Sequence, residues 1–118
     1  MTMQEIMNCH SFAVLGDTLN PEKYAFRIKN AMLEAGYQVC AVPRELASLN
    51  EIPGELEVID LCIHPAKGIR LLQENRKPFK VIVIQPGAED QALISWLERE
   101  QLPYVRGCLL KALEEQKA

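Results

Sequence analysis

Hydrophobic and polar positions alternate in period along this 118-residue chain. Ser11 to Leu15, Val58 to Ile63 and Lys80 to Ile84 are short, nearly unbroken apolar runs. Such runs predict strands covered on both faces, as in a parallel sheet. Asp60 is the one charged interruption of the second run. Two weaker strand patterns, Gln38 to Val42 closed by Pro43 and Pro103 to Val105, bring the expected number to five. Between the runs the spacing becomes helical. Tyr24, Ile28, Ala31, Met32 and Ala35 recur at three- and four-residue intervals, with Asn20 placed to cap a helix, Pro21 at its first position and Gly36 beyond its end. Further helices are expected from Pro65 to about Asn75, from about Glu89 to Gln101 around Leu93, Ile94 and Leu97, and from about Cys108 to Glu115. A short one over Met3 to Asn8 follows the Thr2/Glu5 capping-box spacing. Residues 44–57 are weakly patterned, with a Pro53-Gly54 turn.

This alternation predicts one α/β domain over residues 1–118. Its fold class is Rossmann-like: a doubly wound five-stranded parallel sheet, with expected strand order 3-2-1-4-5. A net charge of −3 without a basic stripe removes the electrostatic basis for nucleic-acid binding. No apolar run approaches the roughly 20 residues that span a membrane, and the start of the chain lacks a signal-peptide pattern, so a cytoplasmic location is expected. Cys9, Cys40, Cys62 and Cys108 form no C-x-x-C pair. They read as reduced thiols, mostly buried, and no metal site is expected.

In an open parallel sheet, ligands bind beyond the carboxyl ends of the strands, at the point where the winding reverses. That rule selects five loops. The first holds Gly16, Asp17, Thr18 and Asn20, leading to Lys23 and Tyr24. A strand, a glycine turn and then a helix make a phosphate cradle: backbone amides and the positive helix end face the anion, Gly16 allows close approach, Thr18 offers a hydroxyl and Lys23 a charge. The second loop carries Pro43 and Arg44 where an NAD site would place an acidic residue, which favours a ribose phosphate such as that of NADP or coenzyme A. The third carries His64 and Pro65, with no Ser or Cys in a nucleophile motif beside the histidine, so His64 reads as a helix cap or pocket wall. Gln85, Pro86 and Gly87 form the fourth. Arg106, Gly107 and Cys108 form the fifth, where a thiol at a helix start is either a reactive group or a small buried hydrophobe.

These same residues resemble a known family. Phe12-Ala13-Val14-Leu15-Gly16, Asn20-Pro21-Glu22-Lys23-Tyr24 and Ala35-Gly36-Tyr37-Gln38-Val39 match, in order and spacing, the small bacterial CoA-binding proteins. So do Ile59-Asp60-Leu61 closing on Pro65, Gln85-Pro86-Gly87-Ala88-Glu89 and Gly107-Cys108-Leu109. Those proteins are similar to the nucleotide-binding domain of the succinyl-CoA synthetase alpha subunit, and the resemblance runs from about residue 5 to 113. It implies a Rossmann-like domain that binds coenzyme A through its ADP half. The family's glycine and hydroxyl then fall on Gly16 and Thr18, its lysine on Lys23, and its position after the second strand on Pro43 and Arg44. Asp17 and Pro43-Arg44 depart from the family's usual Gly-Ala-Ser and Asn-Pro. The synthetase's catalytic histidine segment has no counterpart, so ligase activity is not implied. The expectation is a stand-alone, non-catalytic domain whose partner is a small nucleotide ligand, with no protein partner indicated. An NAD(P)-binding enzyme or redox sensor, and a degenerate nucleotide fold serving as an interaction module, are the alternatives.

Overall fold

The computed structural model describes residues 1–117. Five strands form one parallel sheet: β1 (Ser11–Gly16), β2 (Gln38–Pro43), β3 (Val58–Leu61), β4 (Val81–Ile84) and β5 (Tyr104–Arg106). Five helices flank it: α1 (Met3–Ile6), α2 (Tyr24–Glu34), α3 (Pro65–Glu74), α4 (Gln91–Arg99) and α5 (Leu109–Lys117). The Rossmann-like α/β class stands as expected.

The strands lie in the order β2-β1-β3-β4-β5. The third strand therefore sits between β1 and β4, and not outside the second as 3-2-1-4-5 would place it. Burial explains the arrangement. Every residue of β3 is buried, whereas β2 runs from exposed Gln38 through half-buried Val39 and Cys40 and ends on exposed Pro43. A largely apolar strand, despite Asp60, gains most in the interior, and a half-exposed one tolerates the edge. The link from β2 to β3 also ends on a specific tie. Glu57 accepts hydrogen bonds from the backbone N–H groups of His10 and Ser11 at 2.8 and 3.0 Å, and from Ser11 Oγ at 3.1 Å. Its own N–H donates to the Ser11 carbonyl. The entry of β3 is thereby fixed beside the entry of β1. In either order the winding reverses beside β1; here the reversal opens between β1 and β3.

Side chains alternate across the sheet and build two apolar layers. Leu15, Ile59, Leu61, Ile82 and Ile84 pack under α3 and α4 together with Leu49, Ile52 and Leu56 of the long link. Phe12, Val14, Val58, Val81 and Val83 pack under α1, α2 and α5. Asp60 falls in the second set by the period-two rule, with Val14 and Val83 as its register neighbours.

Several local signals act as read. Thr2 and Glu5 form the capping box of α1. His64 caps α3, with Pro65 at the first helical position, whereas Asp90, expected inside a helix begun at about Glu89, instead caps α4. Gly36 adopts φ +94° after α2, a conformation that an L side chain resists. The start of α2 differs. Its cap is Lys23, not Asn20, because Asn20 folds into a turn: its Oδ1 accepts from the Glu22 N–H and its carbonyl from the Lys23 N–H. Asn-Pro serves a turn as well as a helix start, and the turn takes it here.

Candidate functional site

A cleft opens beyond the carboxyl ends of β1 and β3, at the winding reversal. Its larger part, a cavity of about 350 Å³, is walled by Asp17, Lys23, Tyr24 and Ala25 on one side. Cys62, Ile63 and His64 form the floor, and Pro86, Gly87 and Ala88 the far side. A second cavity of about 250 Å³ shares Tyr24, Cys62 and Pro86 with the first and continues to Gln85, Cys108 and Lys111.

The N-terminus of α2 opens onto this cleft. No side chain caps it, and among the described residues nothing accepts hydrogen bonds from the amides of Tyr24, Ala25 and Phe26. A helix start with open N–H groups carries a partial positive charge. Lys23 adds a full one and makes none of the ion pairs among the described residues. The one carboxylate on the same wall, Asp17, is met by Arg44 at 3.6 Å and accepts from the Leu19 N–H. Tyr24 stands at the mouth, 61% exposed, with the Arg27 guanidinium 5.6 Å from its ring centre. The arrangement suits an anionic group at α2 and a flat group against Tyr24.

Other expected site residues do structural work. A Cβ on Gly16 would lie 2.5 Å from the Cys62 carbonyl oxygen and 2.7 Å from Ala25 Cβ, so this glycine lets α2 and the end of β3 close on β1. Thr18 is buried and donates its hydroxyl to Glu45 at 2.8 Å. Glu45 in turn holds Lys29, whose ammonium keeps the Glu45 carboxyl below its usual range. Thr18 therefore faces away from the cleft, and Asn20, Pro43, Arg44 and Pro65 also lie off its walls. His64 Nδ1 accepts from the Ala66 N–H at 3.1 Å, so that nitrogen is occupied by the cap. Gln85 is buried, and its side-chain oxygen accepts from the Leu109 N–H at 3.0 Å, pinning the start of α5 to the end of β4.

The CoA-binding domain family matches residues 10–114. This chain belongs to that family. No curated protein matches it. Among solved structures, a conserved hypothetical protein from Pyrococcus furiosus is 25% identical, with a TM-score of 0.73 over 87% of this chain and 99% of that one. A hypothetical protein from Pyrococcus horikoshii OT3 is 21% identical and superposes at a TM-score of 0.80 over 100% and 94%. A protein from Thermus thermophilus is 19% identical, with a TM-score of 0.70 over 98% of each chain. Those two likenesses carry the fold alone, and the family match carries CoA binding as the family's property.

Within this family member, sequence reasoning located Asp17, Lys23, Tyr24, His64, Pro86, Gly87, Gln85 and Cys108 on the cleft. It missed Ala25, Cys62, Ile63, Ala88 and Lys111. Cys62 and Ile63 read as the tail of the third strand, but β3 ends at Leu61 and both residues emerge onto the cleft floor. Cys62 N–H donates to the Leu15 carbonyl at 2.9 Å, which holds it in place one step past the strand. Burial, then the nearby Asp60 and Cys108, push the Cys62 thiol up to about 12. Asp60 lies one pleat below on the same face. It is fully buried, and neither carboxyl oxygen has a hydrogen-bond partner. Burial pushes its carboxyl well above the usual carboxylate range, so the protonated acid is the favoured form.

No helix among the described residues is long and apolar enough to cross a membrane, and none of their His, Cys, Asp and Glu side chains gather into a metal-holding group.

Proposed function

We propose that this chain is a single, stand-alone domain that binds coenzyme A or an acyl-CoA through its ADP half and performs no catalysis of its own. The observation that carries the reading is the uncapped start of α2, with Lys23 beside it, opening on the cleft where the winding reverses. A pyrophosphate supplies the charge and the acceptors that these groups lack. Family membership adds the ligand class. The adjoining cavity toward Cys108 gives the pantetheine arm a path away from the phosphates. The four free cysteines fit a reducing, cytoplasmic setting. Arg44 stands half-exposed beyond β2 in a 3.6 Å contact with Asp17 of the cleft wall, and would be the cation for a ribose phosphate at the cleft edge.

A thermal-shift series with CoA, dephospho-CoA, NADP and NAD tests the reading, because a ligand that binds only the native state raises its melting temperature. The expected order places CoA first and NAD last, with dephospho-CoA below CoA. Equal shifts for CoA and dephospho-CoA would remove Arg44 from the site, and a shift with NAD alone would replace the CoA reading by the dinucleotide one.

A further inference from the structure

The inner end of the cleft carries two thiols that reversible nucleotide binding does not use. Cys62 and Cys108 line the same cavity of about 250 Å³, and both are partly exposed there. Each is held by a fixed element. Cys62 is held by the hydrogen bond that its backbone N–H donates to the Leu15 carbonyl. Cys108 directly precedes Leu109, whose amide is held by Gln85. On the other side, Gly107 packs against Met3, where an added Cβ would stand 3.0 Å from the Met3 sulfur. This cavity shares Tyr24, Cys62 and Pro86 with the larger one, in which α2 and Lys23 await an anion. A nucleotide whose phosphates sit at α2 can therefore run its remaining arm through the shared wall toward the two thiols. For a ligand whose arm ends in sulfur, that is a reactive encounter.

We propose that Cys108 is a thiol-capture site that forms a mixed disulfide with the sulfur end of a CoA-type ligand delivered as its disulfide. The proposal rests on the CoA reading above. The Cys108 thiolate attacks one sulfur of the ligand disulfide, a Cys108–sulfur bond forms, and the ligand's own S–S bond breaks. The second half leaves as a thiolate and takes up the proton that Cys108 lost. Cys108 is oxidised and the released thiol is reduced, so the ligand disulfide is the only oxidant needed. Cys62 is the poorer nucleophile of the two, because its thiol, pushed up to about 12 chiefly by burial, stays protonated near neutrality. Its place in the step is to wall the sulfur-binding end of the cavity.

The test exposes the wild-type protein, without reductant, to CoA disulfide or to glutathione disulfide, followed by intact-mass measurement and peptide mapping. The expected result is a single CoA adduct on Cys108, formed about tenfold faster than the glutathione adduct because the nucleotide half docks first. Excess adenosine 3′,5′-bisphosphate, which lacks the thiol arm, slows it. Cys108→Ala abolishes it, and Cys9→Ser and Cys40→Ser keep it. An adduct on Cys9, Cys40 or Cys62 in place of Cys108, equal rates for the two disulfides, or no adduct at all overturns the proposal. Calorimetry of wild-type protein with CoA under reductant separates the two ideas. Reversible binding without an adduct at Cys108 overturns thiol capture alone, whereas no reversible binding overturns the CoA reading as well. Should Cys108→Ala fail to fold by circular dichroism, the mapped wild-type adduct decides the matter by itself.

Discussion

The two ends of the sheet treat their polar groups in opposite ways. At the amino ends of the strands, Glu57 is buried and fully engaged: two backbone amides, the Ser11 hydroxyl and the Lys80 ammonium at 3.1 Å all meet its carboxylate. Those contacts, led by the His10 amide, hold its carboxyl down at about 2. Three residues along the same strand region and toward the other end, Asp60 has no partner. Above it lie the open amides of α2, Lys23, which has no ion pair among the described residues, and two free thiols. At the amino end the Glu57 carboxylate is satisfied internally and serves stability. The other end keeps capacity in reserve, and reserve of this kind is what a ligand can use.

Gly16 tests the boundary of that contrast, since it lies at the open end yet serves packing. Gly16→Val forces a branched side chain against the Cys62 carbonyl and Ala25, and the expected loss is about 3 kcal/mol or more in urea denaturation. A folded variant whose only defect is weakened CoA binding would instead hand this glycine to the ligand. Next in size is Glu57→Gln, which leaves the amides and Lys80 facing a neutral group, at an expected cost of about 2 kcal/mol with CoA affinity of the folded protein preserved. Because the Glu57 value falls from 4.5 to about 2 on folding, its contribution is complete above about 4.5 and disappears as pH falls toward 2. The variant should therefore show a shallower acid-denaturation profile than wild type. An unchanged profile would mean that other carboxylates govern acid stability.

Asp60→Asn is expected to give the smallest effect and the opposite sign. A carboxyl whose folded value is raised holds its proton longer in the folded state, so wild-type stability declines as pH rises above about 4. The amide has no proton to lose. Asp60→Asn should gain stability near pH 8 and progressively less toward pH 4, read from denaturant midpoints across that range. A loss that is constant with pH would show that Asp60 is satisfied by a buried water, and would erase half of the contrast between the ends.

Sequence pattern revealed the elements more fully than their arrangement. Three apolar runs and two weaker patterns located the five strands, and the capping residues Thr2, His64 and Asp90 act locally, within three residues of what they bind. Strand order depends on long-range ties such as Glu57 to His10, 47 positions away, which no local pattern encodes. The contrast between an all-buried β3 and a half-exposed β2 was nonetheless visible in composition, since Val58 to Ile63 is interrupted only once whereas Gln38 and Cys40 dilute the second strand. At the site, the rule of strand carboxyl ends found most of the walls because it depends on topology alone. It could not foresee that Thr18 would turn to Glu45, 27 residues on, or that Gly16 answers to protein packing before any ligand. It began the third loop at His64, two residues late, and so passed over Cys62 and Ile63, where the strand has ended and the cleft begins.

The contrast between the ends is tested most directly by backbone amide NMR on the wild-type protein titrated with CoA under reductant. The largest shift changes should fall on Tyr24, Ala25 and Phe26 at the start of α2 and on Cys62 to His64 and Gly87 around the cleft. The amides of His10 and Ser11, bound to Glu57, should stay in place. Changes centred on His10, Ser11 and Lys80, or a spectrum unmoved at saturating CoA, would contradict the assignment of ligand binding to the open end of the sheet.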